Sequence, residues 1–470
     1  MAEAKPALNP QQKEAFSILQ KFLERPGPDT FVLKGYAGTG KTFLMQHLAR
    51  WLEGKEQEFC LLASTGRAST VLKGKTGLRA RTVHGELYQF HRVEGDSDDL
   101  PEDAPAEKYG QMRLQFLLRT PDKAKRVYIV DEASMLSSEP SGESIAAFGS
   151  GLLMQDFFEA AGSNKIIFVG DPCQLPPVGQ AYSPALDMDW LAREKRSAIA
   201  FTLEIIERTR SDNDILLLAT RIRHMVNQES LAKWPKLPAK GRENVKLYPD
   251  WELLFKAYLE KFKKVGPNGV LAIVRSNLSA QAINTAFRRE LYGSDLPVRV
   301  DDILLINRNN YKVPLTNGDF VTVIQIGEIE SRVNLHFQKV RVKGLSTNEE
   351  YELLLSLETL YGNTGQLTKE QTKSLMIDFS RRMKKREIKQ NTPGHKEAMM
   401  NDSYLNSLQA SYGYAVTCHK AQGGEWDDVF LFLDKKMYGM PHQELFRWWY
   451  TAVTRARNEL HLQNDWWIGD

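Results

Sequence analysis

The chain has 470 residues, 42% hydrophobic and 26% charged, enough apolar material for real cores in about two to four domains. Its 62 basic and 59 acidic residues leave a net charge of +3, too even to argue for nucleic acid unless charge is segregated locally. Three scattered cysteines (Cys60, Cys173, Cys418) exclude a disulfide framework or a zinc site, and no apolar leader or membrane-length run is present. The expectation is a soluble, cytoplasmic protein.

In chain order, a short polar lead runs into an amphipathic helix. Asn9 is its N-cap, Pro10 its first residue, and Gln12 stands at capping-box spacing. A glutamine amide both donates and accepts, so Gln12 equally suits recognition of an adenine edge, and both readings stand. Next, the apolar run 31–33 breaks at Gly35 into GYAGTGKT, and Lys41 and Thr42 lead into FLMQHLARWL at helical spacing. Gly35, Gly40, Lys41 and Thr42 fit G-x-x-x-x-G-K-[ST] in the strand, loop and helix context the motif requires. Glycines let backbone N–H groups curl around phosphate oxygens, and the helix N-terminus adds its positive end. Lys41 suits the β and γ phosphates, and the Thr42 hydroxyl suits Mg²⁺. Binding and hydrolysis of a nucleoside triphosphate are expected.

EFCLLAST reads as a buried strand ending at Ser64 and Thr65, with Gly66 and Arg67 opening a helix. ARTVHGELYQF places Thr82 and His84 near a second loop. Small hydroxyls at strand ends with Arg and His suit contact with a phosphate backbone; taken singly they equally serve turns and caps. Residues 91–110 are acidic, proline-bearing and poor in apolar residues, an exposed excursion whose flanks Phe90 and Tyr109 form the base of a small hairpin. KRVYIVDEASM gives a strand at 127–130 ending in Asp131 and Glu132. The first carboxylate suits Mg²⁺ and the second orientation or deprotonation of an attacking water. KIIFVGDPCQLPPVG repeats the pattern, with Asp171 and Gln174 past a strand at 166–169, Gln174 set to sense the γ phosphate. Three parallel-type strands, each followed by helical sequence, imply a doubly wound α/β domain to about residue 195, its site at the carboxyl ends of the strands.

A second α/β unit opens near FTLEIIERTR, where Arg208 or Arg210 precedes an amphipathic helix. It continues through WELLFKAYLEKFKK and GVLAIVRSNLSAQAINTAFRRELYG, with a strand at 270–274, a turn at Ser276 and Asn277, and a helix carrying Asn284 and Arg288. Between about 300 and 400, short alternating runs bounded by turn residues suggest a small β-barrel or hairpin insertion. SRRMKKREIKQ then carries six basic residues in eleven, either a phosphate-facing strip or, more commonly, a solvated helix face. Thr417, His419, Lys420, Gln422, Gly423 and Glu425 crowd a loop before a last apolar strand, and ELFRWWYTAVTRARNELHL gives a helix followed by Arg455 and Arg457.

GYAGTGKT, DEASM, GDPCQLPPVG, VTCHKAQGGEWDDV and YTAVTRAR stand in the order seen in superfamily 1 helicases, and the chain resembles the branch holding the RecD family and the phage Dda helicase. The resemblance implies an α/β fold of two tandem RecA-like P-loop domains, 1–195 and 196–319 with 402–470. It also implies a wedge hairpin inserted in the first, at about 86–120, and a β-rich, SH3-like insertion at 320–401. ATP and Mg²⁺ are the implied cofactors. Gln12, Gly35, Gly38, Gly40, Lys41, Thr42, Phe43, Gly423 and Glu425 would bind nucleotide, and Thr42 and Asp131 would hold the metal. Lys41, Asp131, Glu132, Gln174, Arg208 and Arg455 would carry hydrolysis, the two arginines arriving from the second domain. Single-stranded DNA would touch Ser64, Thr65, Thr82 and His84 on the first domain and Asn277, Thr417, His419 and Lys420 on the second. The chain departs from its relatives at Ser64, where they commonly carry proline. The implied activity is a 5′→3′ single-strand DNA translocase and helicase in replication, recombination or repair. It would be monomeric, acting on tailed duplexes beside proteins such as a single-strand-binding protein. A nucleic-acid-stimulated ATPase serving as a clamp or remodelling module, and an RNA helicase, are the alternatives.

Overall fold

The computed structural model describes residues 7–95, 112–120, 125–140, 145–206, 213–228, 232–294 and 297–470. Two parallel sheets form its centre. The first runs in the order Ala80–Thr82, Phe59–Ala63, Val127–Asp131, Lys165–Gly170, Thr30–Gly35, Ala198–Leu203. Its inner strands are buried along almost their whole length, the continuous apolar pattern of a sheet covered on both faces. The edge strand Ala198–Leu203 pairs in parallel with Thr30–Gly35, so the first sheet reaches past the boundary expected near 195. As an edge strand it is half-buried or exposed at every position but Leu203, unlike its solidly buried neighbours.

The second parallel sheet runs Val245–Tyr248, Ala456–Gln463, Trp426–Phe432, Val270–Val274, Ala415–Thr417. Its core gathers the helices Asp214–Val226, Trp251–Val265, Asn277–Tyr292 and His442–Val453. Two residues of the first domain, Cys173 and Leu175, are buried in that same core. The proline-rich loop after Lys165–Gly170 is therefore embedded in the second domain.

The β-rich unit is a five-stranded sheet in the order Glu350–Ser356, Leu335–Gly344, Phe320–Arg332, Ile303–Ile306, Ala410–Tyr412, antiparallel throughout. Two of its strands lie outside 320–401: Ile303–Ile306 and Ala410–Tyr412 pair with each other across a sequence separation too long for any hairpin signal. The stretch 357–401 is helical (Leu357–Tyr361, Lys369–Lys385, Pro393–Asn401) rather than β. The basic run ends the middle helix. Its Arg382 is tied to Asp378 and Asp402, while Lys384, Lys385 and Arg386 are exposed, which suits a phosphate-facing strip as well as a solvated helix face.

In the first domain Tyr88–Glu94 pairs antiparallel with Arg113–Leu118, which in turn pairs in parallel with Ala146–Phe148. The hairpin base thus exists with Phe90 opposite Phe116; Tyr109 and the acidic middle of the excursion lie outside the described residues. All three cysteines are free thiols, and no described helix is long and apolar enough to cross a membrane.

Candidate active site

The carboxyl ends of the first sheet's strands face the second domain across a cleft of about 680 Å³. Gly38, Gly40, Lys41, Thr42, Phe43, Asp131, Glu132 and Gln174 line one wall, and Gly423, Glu425, Thr454, Arg455 and Arg457 line the other. Register explains the first wall. Lys34 pairs with Gly170, Val130 with Phe168 and Ala63 with Asp131, so all three motif loops leave the sheet at one edge.

The phosphate loop has the backbone its glycines predict. Gly38 and Gly40 take φ of 80° and 76°, where a Cβ would be strained, and Gly40 caps the helix Lys41–Gly54. A Cβ on Gly35 would stand 2.8 Å from Thr39 Oγ1 and 2.9 Å from Lys41 Cγ, so only glycine lets the lysine fold under the loop. Lys41 Nζ donates to the carbonyls of Gly35 (2.7 Å) and Tyr36 (3.2 Å). Phosphate oxygens, being charged, are the stronger acceptors for this ammonium.

Asp131 ends its strand buried, and its carboxyl pKa is raised to about 6, by burial first and by the neighbouring Glu132 second. Glu132 sits at φ 51°, an unusual conformation for a branch-free acidic residue, and its N–H donates to Asp131 Oδ1 at 2.9 Å. Its buried Oε2 finds no hydrogen-bond partner among the described residues, and neither does Oε1 of Gln174, which is 3% exposed. These two acceptor oxygens suit the hydrogens of a water or of a metal's hydration shell, and the lysine and arginines of the cleft suit phosphate oxygens. The donor set of Thr42 hydroxyl, Asp131 carboxylate and Lys41 ammonium fits a triphosphate with Mg²⁺.

Arg455 is 4% exposed on the facing wall and is held by its own domain. Its Nε donates to Thr451 O (3.0 Å), Nη1 to Gly424 O (3.1 Å) and Nη2 to Thr454 Oγ1 (3.1 Å). Glu425 accepts from Arg457 Nε at 3.3 Å. Gln12 closes the capping box in both directions with Asn9, and its Nε2 also donates to Thr39 O at 3.1 Å, bracing the phosphate loop from behind. Arg208, like Arg210, lies outside the described residues.

The DNA candidates fall into two groups, each at the carboxyl edge of its sheet. Thr65 caps the helix Gly66–Thr76 and Thr82 caps Val83–Leu87, on strands paired in parallel, so the capping role expected of them is filled. Ser64 Oγ is buried without a partner among the described residues. His84 packs against Tyr88 and Phe148, and burial lowers its pKa. Across the cleft Asn277, Thr417 and Lys420 line one pocket of about 180 Å³. Lys420 Nζ donates to Asn307 Oδ1 at 2.6 Å, and burial lowers the pKa of both His419 and Lys420.

Two residues take places the sequence did not assign them. Arg67 projects from the first domain between the rings of Phe320 (4.8 Å) and Trp426 (4.5 Å), and burial pulls its pKa down to about 10. Tyr450 reaches the phosphate loop from the opposite domain. The only sequence signal for Arg67 was its place at a helix start beside two hydroxyl residues. Elsewhere, Asp428, Glu459 and His461 approach closely enough to hold a metal ion, but Lys261 Nζ already bonds both carboxylates, at 3.1 and 3.2 Å. An ammonium fills the place a cation would take.

Residues 7–231 match a family model described as an AAA domain, and residues 412–463 match the UvrD-like helicase C-terminal domain. The ATP-dependent DNA helicase Pif1 of Bdellovibrio bacteriovorus is 36% identical over 174 residues, covering 36% of this chain and 33% of that protein. The ATP-dependent RecD2 DNA helicase of Deinococcus radiodurans is 25% identical over 452 residues, covering 95% of this chain and 48% of that protein. The chain therefore spans about a third to a half of the length of these curated relatives. Among solved structures, a Bacteroides Pif1 helicase in complex with ADP-AlF3 and ssDNA aligns over 98% of this chain and 93% of that one. Its TM-score is 0.50 at 16% identity, a likeness of fold.

Proposed function

We propose that this chain, whose motifs, sequence matches and fold are those of superfamily 1 helicases, is an ATP-dependent single-strand DNA translocase and helicase that moves 5′→3′. The observation that carries the reading is the split site: Lys41, Asp131, Glu132 and Gln174 on one wall of a cleft and Arg455 on the other. A metabolic kinase would not account for GDPCQLPPVG and TCHKAQGGE lying so far along the chain from the phosphate loop.

Thr42 and Asp131 would hold Mg²⁺, whose charge offsets that developing on the transferring phosphoryl group. Lys41 binds the phosphates, Glu132 orients and accepts a proton from the attacking water, and Gln174 reports the γ phosphate to the loop embedded in the second domain. Arg455, and Arg208 by motif, stabilise charge on the equatorial oxygens. Gln12 supports the phosphate loop through its bond to Thr39 O. Closing and opening this cleft shifts the domains, and a strand gripped alternately by Thr65, Thr82 and His84 and by Asn277, Thr417, His419 and Lys420 is carried along. Grip through phosphates and stacking is tolerant of sequence and sensitive to salt.

The test is displacement of a strand from a 5′-tailed duplex, with a 3′-tailed duplex and the Lys41→Ala variant as controls. ATP-dependent displacement from the 5′-tailed substrate alone is expected. DNA-stimulated ATP turnover without displacement would leave the clamp-like ATPase standing, and equal stimulation by RNA of the same sequence would move the substrate class.

A further inference from the structure

One buried side chain in the cleft has no part in the scheme above. Tyr450, on the helix His442–Val453 of the second domain, is 1% exposed, yet its hydroxyl lies in the first domain's hydrogen bonding. It accepts from the N–H of Ala37 in the phosphate loop at 2.9 Å and donates to Asp171 Oδ2 at 2.7 Å. The other Asp171 oxygen accepts from Cys173 N at 3.0 Å. A phenol has one proton to give and lone pairs to receive, so the hydroxyl fills both bonds at once and Asp171 has no idle oxygen. Asp171 stands three residues before Gln174, and Arg455 stands five after Tyr450. The neighbouring Thr451 Oγ1 accepts from Leu175 N at 2.9 Å, and Gln422 Nε2 donates to Leu175 O at 3.2 Å, so the same loop is gripped just past Gln174.

We propose that Tyr450 is a positioning residue: its hydroxyl ties the phosphate loop and the Asp171–Gln174 loop to the helix that leads into Arg455, so that nucleotide and DNA are coupled through this bridge. Drawing the domains apart strips Asp171, a fully buried carboxylate, of its cross-domain donor and leaves the Ala37 N–H unpaired. Both losses favour the closed cleft, the arrangement in which Arg455 faces Lys41. A ligand that favours closure is therefore felt at the other ligand's site, and equally in the reverse direction. The proposal rests on the ATPase reading above. A tyrosine that merely filled the interface would affect stability and leave coupling unchanged.

Tyr450→Phe keeps the ring and removes only the hydroxyl. In the folded variant, checked by thermal unfolding, kcat for ATP is expected to fall about tenfold both with and without single-stranded DNA while KM stays within about twofold. The change in DNA affinity produced by a non-hydrolysable ATP analogue, read by fluorescence anisotropy, should shrink toward none. Asp171→Ala removes the hydroxyl's acceptor and should mimic the first variant without adding to it in the double variant. Arg447→Ala, which removes a cross-domain bond to Ala181 O (3.1 Å), is the control for a loosened interface and should keep the wild-type coupling ratio. Wild-type kcat and coupling in Tyr450→Phe, full additivity with Asp171→Ala, or an equal loss in Arg447→Ala each overturns the bridge. Wild-type protein without DNA stimulation sinks the translocase reading instead, and the basal kcat of Tyr450→Phe still decides the bridge.

Discussion

At the residue scale the reading of the cleft turns on Arg455. Its guanidinium is oriented by Thr451 O, Gly424 O and Thr454 Oγ1, acceptors that fix the fork before any phosphate is present to attract it. Such preorganisation is what stabilises charge in a transition state without holding the ground state tighter. Arg455→Ala is expected to lower ATP turnover on the order of a thousandfold while a fluorescent ATP analogue still binds. Arg455→Lys should recover little, because a single ammonium cannot reproduce the fork. Normal turnover in Arg455→Ala would remove the residue from the site. That Lys41, Asp131, Glu132 and Gln174 would meet on one wall of a cleft was legible because each motif is local: strand, tip residue and loop lie within a few positions. Tyr450 was not, since its meaning depends on a backbone group 413 positions away. Arg67 is similar, being defined by the two rings that close on it from the other domain.

At the scale of elements, strands with unbroken apolar runs were readable, and those whose pairing is their only signature were not. Val127–Asp131, Lys165–Gly170, Val270–Val274 and Ile303–Ile306 belong to the first kind; Ala410–Tyr412, which pairs with the last of these, belongs to the second. Besides the apolar packing of Ile303, Leu305 and Phe320 in the second domain's core, an ion pair ties that pair of strands to it; Arg288 stood out in the sequence, its carboxylate partner did not. Arg288 on the helix Asn277–Tyr292 meets Asp302 through Nε at 2.8 Å and Nη2 at 2.9 Å, both side chains fully buried. Asp302 also accepts from Tyr414 OH at 2.8 Å and from Arg299 N at 2.7 Å, and Arg288 Nη2 donates to Pro297 O at 2.7 Å. Desolvating two charges is costly, but the pair is fully hydrogen-bonded, so removing one partner is worse than never having either. Arg288→Met should lose about 3–5 kcal/mol of unfolding free energy in urea denaturation. The double variant Arg288→Met/Asp302→Leu should regain part of it. A single variant as stable as the wild type would show that solvent reaches the abandoned carboxylate.

Across the whole molecule, the inserted hairpin of the first domain does not stand free. Val93 from its first strand and Met112 just before its second share an apolar cluster with Met376, Ile377, Phe379, Met383 and Met399 from the helices Lys369–Lys385 and Pro393–Asn401. Phe116 stacks on Tyr311 at 6.0 Å. Asn391 Oδ1 accepts from Val93 N at 2.8 Å, and Gln390 Nε2 donates to Val93 O at 3.2 Å and Gly95 O at 3.0 Å. An arch therefore runs from the first domain's hairpin to the β-rich unit's helices, a second connection between the domains besides the nucleotide cleft. No local pattern could announce it, because one footing reads as an exposed excursion and the other as a basic helix end. Were the hairpin set against a duplex junction, as the resemblance implies, it would exert force only as far as its base resists swinging, and that resistance would be divided between apolar packing and these amide bonds. Each bond contributes about 0.5–1.5 kcal/mol, enough to change how far the hairpin yields without unfolding its cluster. Gln390→Ala with Asn391→Ala is thus expected to leave ATP turnover stimulated by single-stranded DNA within about twofold of wild type, the cleft being remote from the change. Strand displacement on the 5′-tailed duplex should fall severalfold in the same preparation. Displacement that tracks turnover unchanged would mean that the arch carries no load, and that strands are parted at another surface of the first domain.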